Sequence, residues 1–303
     1  MIGPIDEYPV HQTPRPIATP ATSDRNFYDR SYFNLFDHAG RFMIITGIGY
    51  YPRLGVKDAY VLVRHADTQT AVHLSDAIDA ERLNPHVGTY RIEVIEPLQR
   101  VRVILEETEG IALDATWTGL FPAVGEEPHV MTTGSRVTLD ACRFAQVGTW
   151  TGTAEFDGER VDITAGEWNG SRDRSWGIRP IGEPEPAGRP ADPPFGGMWW
   201  LYLPVAFDDF WIMIIMQEQP DGSRTLYDCT RISRDGRVEQ MTSVTPVVDY
   251  ASGTRTALGG RVEVVLRSGA TLRLDIEALQ RAPLALGAGY GGDSDWSHGT
   301  WKG

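Results

Sequence analysis

The chain reads as an all-β protein made of two related antiparallel halves, each a barrel or half-barrel. Three observations predict this. Apolar and polar residues alternate through many short runs, Gly-containing turn pairs separate the runs, and fragments of the first half return in order in the second.

The alternation is clearest near the end of the chain. Val262, Val264 and Leu266 alternate with Arg261 and Glu263, and Leu272, Leu274 and Ile276 alternate with Thr271, Arg273 and Asp275. Ser268-Gly269 between them predicts a tight hairpin. Tyr90, Ile92 and Val94, then Val101, Val103 and Leu105, repeat the pattern. Asp157-Gly158, Asp221-Gly222 and Asp235-Gly236 mark further turns. The apolar run 211–216 predicts a strand buried on both faces. Sustained helical periodicity is missing, and only 75–83 offers a short helix. Strands with one wet face belong to antiparallel meanders rather than to a parallel α/β sheet.

Four fragments recur. Residues 100–105 resemble 261–266, and Leu113-Asp114 matches Leu274-Asp275. Gly148-Thr149-Trp150 matches Gly299-Thr300-Trp301, and Phe36-Asp37 before 42–45 resembles Phe207-Asp208 before 211–214. The common order implies a duplicated β unit, about 23–152 and 196–303. The expected organisation is a Pro-rich arm at 1–22, a first domain at 23–180, a Pro/Gly-rich linker at 181–195 and a second domain at 196–303. Residues 153–164 read as one more hairpin. Residues 167–179 read as a polar insertion in the first domain.

Composition narrows the partners. The 303 residues are 41% hydrophobic, enough for two cores. The net charge of -13 argues against nucleic acid or an anionic membrane surface. No apolar run has the length of a membrane span, and 1–20 lacks the layout of a signal peptide, so the expected location is cytoplasmic. Cys142 and Cys229 are too few for a disulfide framework or a metal cluster and read as buried apolar residues. Lys57 and Lys302 are the only lysines, so Schiff-base chemistry would have to use one of them. There is no phosphate loop, dinucleotide fingerprint or nucleophile elbow, and the seven histidines lack metal-ligand spacing. An enzyme of this composition is expected to work without cofactor or metal, by acid–base and electrostatic means.

Two clusters could carry such chemistry. In 167–179, a strand sends Arg172, Arg174 and Trp176 to one face and Asp173 and Ser175 to the other. A carboxyl among guanidiniums can be a site where charge is held away from water, or a structural ion-pair network. The second cluster is 290–301, with Tyr290, Asp293, Trp296 and His298. Aligning the two Gly-Thr-Trp fragments places His298 opposite Val147, so one copy does without the histidine, which favours a functional role for it. In 26–34, Tyr28 belongs to a segment dense in hydrogen-bonding side chains that could close a barrel mouth.

With the duplicated β unit, Ser171-Arg172-Asp173-Arg174-Ser175-Trp176-Gly177 and Trp296-Ser297-His298-Gly299, the chain resembles the carotenoid 1,2-hydratase (hydroxyneurosporene synthase) superfamily from about Asp24 onward. The resemblance implies two tandem lipocalin-like domains and cofactor-free chemistry on a hydrophobic substrate, either water addition to an isoprenoid double bond or cyclisation. It also implies that acidic and aromatic residues near the domain junction protonate the alkene and stabilise a carbocation. Asp173, Trp176, Tyr290, Asp293, Trp296 and His298 are the positions that could match.

Two readings follow. In the first, the protein is a cofactor-independent lyase, hydratase or isomerase that acts on a hydrophobic, terpenoid-like small molecule by general acid–base catalysis at the domain junction. Asp173 is its acid, held by Arg172 and Arg174; His298 and Tyr290 relay or accept a proton; Trp176, Trp296, Asp293 and Tyr28 line the substrate. In the second, it is a carrier of a hydrophobic ligand that does no chemistry. The oligomeric state is not legible at this level.

Overall fold

The structure, a computed structural model, describes residues 1–180 and 197–302. The linker expected at 181–195 lies outside the described residues. The chain divides into two compact units, Met1–Phe195 with Ala282–Gly303, and Gly196–Arg281. Both are built almost wholly of antiparallel strands, the lipocalin-like all-β class that the sequence predicts. Among the described residues the only helical element is a 3-10 turn, Pro4–Glu7.

In the first unit the strands are β1 (Phe27–Asp37), β2 (Phe42–Tyr51), β3 (Val56–His65), β4 (Thr68–Ala77), β5 (His86–Val87), β6 (Tyr90–Glu96) and β7 (Arg100–Thr108). There follow β8 (Ile111–Gly119), β9 (Val124–Gly125), β10 (His129–Thr133), β11 (Arg136–Phe156), β12 (Glu159–Ile163) and β13 (Trp168–Ile178). They form one 13-stranded sheet in the order β4-β3-β2-β1-β13-β11-β8-β7-β6-β5, with β9, β10 and β12 also on β11. The sheet curls until β5 lies against β3 and β4. Its inner face closes on a dry core that includes Phe33, Ile44, Val61, Val103, Trp117 and Trp150.

The β11–β12 hairpin at 153–164 forms as expected. Asp157 (φ 51°) and Gly158 (φ 78°) both take positive φ, as the two-residue turn matched to strand twist requires. Strand β13 is not an insertion. It pairs with β1 on one side and β11 on the other, so the sheet would be split without it. The helix expected at 75–83 is absent. Ser75–Ala77 end β4, and beyond them the carboxylates of Asp79 and Glu81 accept backbone N–H groups of Glu81, Leu83 and Asn84. Such local side-chain bonds compete with a helix, and Pro85 follows at once.

The second unit is a six-stranded meander of β14 (Trp199–Ala206), β15 (Phe210–Glu218), β16 (Arg224–Ser233), β17 (Val238–Tyr250), β18 (Ala257–Leu266) and β19 (Thr271–Glu277). Trp211 through Met216 are fully buried, as expected of an unbroken apolar run. The Ser268-Gly269 hairpin joins β18 to β19.

The domain expected at 196–303 is divided here, because the last segment, Ala282–Gly303, packs with the first unit. Ala288 and Trp296 fill an apolar patch with Ile45, Tyr60 and Leu62 on the outer face of β2 and β3. Gln69, His73, Ser75 and Asp58 tie the segment down through its backbone. Three of the four repeated fragment pairs fall on like hairpins, one on β1–β2 with β14–β15 and two on β7–β8 with β18–β19. The Gly-Thr-Trp pair does not. Val147 lies within β11, paired with Ser171, whereas His298 lies in irregular chain. The equivalence used to single out His298 therefore has no structural counterpart. Cys229 is buried and Cys142 half-buried, both as free thiols.

Candidate active site

The outer face of β11, β13, β1, β2, β3 and β4 carries two cross-strand rows. The first runs Ala145, Asp173, Tyr32, Gly47, Tyr60, His73. The second, two residues along each strand, runs Arg143, Ser175, Arg30, Gly49, Asp58, Ser75. Period-two alternation puts these side chains together and sends the barrel core to the other side. The segment that follows Ala282 lies over the same face and adds Tyr290, Trp296 and His298.

Glycine at the two β2 positions makes the floor. A Cβ on Gly47 would meet Tyr60 Cε1 at 3.0 Å, and one on Gly49 would meet Asp58 Oδ1 at 2.7 Å and Tyr51 OH at 2.5 Å. The absent side chains are the room into which Tyr60 and Asp58 lean, a use of strand glycine that tolerates its cost in strand stability.

Asp173 lies deep in the unit but is only half-buried, and so is Tyr32 beside it. Enclosed groups that keep accessible surface line a recess. Burial pushes the Asp173 carboxyl up to about 7, and the charge of Glu126 adds to this, against the opposing pull of Arg143, Arg30 and Arg179. Glu126 itself pairs with Arg143 (Nε–Oε2 2.6 Å). Asp58 is buried and its carboxyl is raised to about 6, although the Gly299 N–H donates to it at 2.7 Å. His298 is buried between the rings of Tyr60 (5.9 Å), Tyr290 (5.0 Å) and Trp296 (5.5 Å). Burial and the charge of Arg30 hold its imidazole well below the ordinary histidine range, so it is neutral at pH 7. Neither of its ring nitrogens has a hydrogen-bond partner, and Asp58 Oδ2 is 4.0 Å from Nδ1. The Tyr60 hydroxyl is likewise buried without a partner.

The sequence-derived residues divide over this geometry. Asp173, His298, Tyr290, Trp296 and Tyr28 belong to this face. Tyr290 stands at its rim, 44% exposed, with the guanidiniums of Arg30 and Arg179 5.7 and 5.8 Å from its ring centre. Trp296 stacks on His73 at 4.0 Å. Tyr28 is buried under Arg179 (5.5 Å), and burial raises its hydroxyl.

Arg172, Arg174 and Trp176 face the other way, so they do not hold Asp173. Arg172 lies against Trp117 and donates to Gln146 Oε1 at 2.9 Å, and Arg174 pairs with Asp29. Trp176 is 40% exposed on that same side. Strand alternation separates them from Asp173. Asp293 spends both carboxylate oxygens on the Gly287 N–H. All nine residues belong to the first unit. Both lysines are engaged, Lys57 with Asp79 (2.6 Å) and Lys302 with Asp295 (2.9 Å).

Sequence reasoning missed Asp58, Tyr60, Tyr32, Arg30 and Arg143. The available signal was Gly47-Ile48-Gly49 inside an apolar strand, which marks close approach. The second unit offers a groove of about 430 Å³ along Trp199, Arg224, Val244 and Tyr250, whose one lining carboxylate, Glu218, sits 3.8 Å from Arg224.

The fold is similar to solved structures. The AttH-type protein of Nitrosomonas europaea matches with a TM-score of 0.52 and 12% identity over 83% of this chain and 92% of that one. CghA matches with a TM-score of 0.54 and 12% identity over 84% of this chain and 76% of that one. Kievitone hydratase from Nectria haematococca is more distant, at a TM-score of 0.48 and 13% identity over 78% and 72%. At these identities the likeness is one of fold, the lipocalin-like fold that the resemblance implies. No curated protein matches the chain in sequence. A family model matches residues 2–303, nearly the whole length, and the chain belongs to that family, a family of unknown function (DUF8625).

Proposed function

We propose that the protein is a lyase, hydratase or isomerase that acts without a cofactor on a hydrophobic, terpenoid-like small molecule. Its site is the recess on the outer face of the first unit. One observation carries the reading. Asp173 is a carboxyl raised to about 7 beside Tyr32, on the face over which a neutral histidine without a side-chain partner also lies. An acid is most effective when its pKa lies near the working pH, and a neutral imidazole, though burial and Arg30 disfavour its charged form, can take the proton of a far more acidic oxonium.

For water addition the steps balance as follows. Asp173 gives its proton to one alkene carbon, the π pair forms the new C–H bond, and a tertiary cation remains on the other carbon. The faces of Tyr32, Tyr60 and Tyr290 stabilise that charge. A water oxygen bonds to the cation and loses a proton to His298, which passes it to bulk solvent while solvent returns a proton to Asp173. In cyclisation or isomerisation the same cation is closed by an internal double bond or quenched by loss of another proton. Fixed dipoles around the developing charge favour these outcomes.

The test uses geraniol, linalool and farnesol incubated with the protein in H2-18O and in D2O, followed by mass spectrometry. Incorporation of 18O or deuterium that disappears in Asp173→Asn and His298→Ala supports the reading. Incorporation that is unchanged in both variants, or tight retention of the unaltered terpenoids, favours the carrier reading instead.

A further inference from the structure

We propose that this recess takes a ligand bearing an anionic oxygen, as a carboxylate, phenolate or enolate, which pairs with the guanidinium of Arg30. The inference deepens the proposed function, since it concerns the substrate class of the same recess, but it rests on binding and not on turnover.

Arg30 is 5% exposed, on β1 between Ser175 and Gly49 in the second cross-strand row. Its neighbours on the sheet are paired: Arg143 with Glu126 and Arg174 with Asp29. Arg30 has no carboxylate within ion-pair distance among the described residues, and its nearest defined partner is the face of Tyr290 at 5.7 Å. A buried guanidinium without a counter-charge is costly, because it has lost its water and gained no acceptor. Arginine is rarely buried unless paired.

The position is central. The charge of Arg30 acts on Asp173, Asp58, His298, Tyr60 and Tyr28, so the guanidinium stands among all the candidate acid and base groups. Neither nearby carboxyl is its natural counter-ion. Asp58 is occupied by the Gly299 N–H, and Asp173 must be protonated to serve as an acid. In that acid-competent state the recess holds Arg30 and Arg179 against Asp58 alone. A cation forming there meets the repulsion of these guanidiniums as well as the attraction of the tyrosine faces. A ligand whose own anionic oxygen sits on the Arg30 fork removes the repulsion and fixes the ligand's orientation, because the planar fork matches a two-oxygen or delocalised anion. The aromatic side chains then take the apolar body.

The test compares two probes of one shape, naphthalene-2-carboxylate and naphthalene-2-carboxamide, by calorimetry on the full chain at pH 7.5. Wild type is expected to bind the carboxylate at least tenfold more tightly than the amide. Arg30→Gln should bring that ratio near one with amide affinity unchanged. Arg30→Lys, which keeps the charge but loses the planar fork, should lower the ratio at least threefold. Arg179→Gln should leave most of it. Equal affinities in wild type, binding of neither probe, or a ratio unchanged in both Arg30 variants would overturn the proposal. Asp173→Asn should bind the carboxylate as well as wild type or better. Absence of turnover with the ratio intact therefore counts against the proposed function and leaves this inference standing.

Discussion

At Asp173 two demands oppose each other. Its carboxyl titrates near 7 in the fold against an ordinary 3.8, so between these values the folded protein keeps a proton that the unfolded chain has released. Stability therefore falls as pH rises from about 4 to about 7 and stays lower above. Asp173→Asn should match wild type in denaturant unfolding at pH 4 and exceed it at pH 8, by up to about 4 kcal/mol. The same substitution should reduce turnover on the order of 100-fold or more, since general acids contribute that much. In wild type, kcat/KM should fall tenfold per pH unit above about 7, as the proton is lost. A variant less stable at pH 8 would mean that the carboxylate serves the fold instead. Tyr60 gives a second case. Its buried hydroxyl has no partner, so Tyr60→Phe removes no hydrogen bond and should leave stability unchanged or raise it by about 0.5–1 kcal/mol. Calorimetric unfolding will show a loss instead if the hydroxyl is bonded within the fold.

The β2 strand is the element whose pattern departs most from what a barrel needs. Elsewhere glycine in a strand interior is replaced by alanine at no cost or with a gain, because alanine restricts the unfolded chain. At Gly49 the new methyl group would strike only side-chain atoms of Tyr51 and Asp58, the groups that shape the recess. Gly49→Ala should therefore cost about 1–3 kcal/mol in thermal unfolding and displace Asp58 from the Gly299 N–H. An unchanged midpoint would show that the floor is not tight there. This element also marks how far the sequence was legible. Alternation and turn pairs exposed β6–β8, β18–β19 and the Asp157-Gly158 hairpin, because those signals are local. The placement of β13 between β1 and β11 left no local trace, since its partners are far along the chain, and so 167–179 read as an insertion. Asp173 was found because a single carboxyl among guanidiniums is conspicuous in a polar run. Asp58 and Tyr60 were missed because Val56–His65 looks like any buried strand until the glycines opposite are considered.

Across the whole molecule, the chain closes the recess of its first unit with residues that come after the second. The segment beyond Arg281 is irregular, so little of its order comes from its own backbone pairing. It is held by the patch of Ile45, Tyr60, Leu62, Ala288 and Trp296, and by hydrogen bonds in which Asp58 and Ser75 accept its backbone N–H groups and Gln69 and His73 bond its carbonyls. Those contacts help to position His298. A chain ending at Arg281 should therefore fold both sheets, expose the outer face of β2 and β3, and bind a hydrophobic dye that the full chain does not. A synthetic 282–303 peptide added in trans should restore the near-ultraviolet circular dichroism of the buried aromatics and suppress dye binding. Trp296 fills the patch and His298 packs against it, so a peptide carrying Trp296→Ala should bind at least tenfold more weakly, a loss of about 1.4 kcal/mol or more. His298→Ala removes rings from the edge of the patch and no hydrogen bond, so that peptide should bind within a few-fold of the natural one while failing to restore turnover. Equal binding of all three peptides would mean that the segment is held by its backbone bonds alone. The recess would then owe its histidine to those anchors on β3 and β4 rather than to aromatic packing.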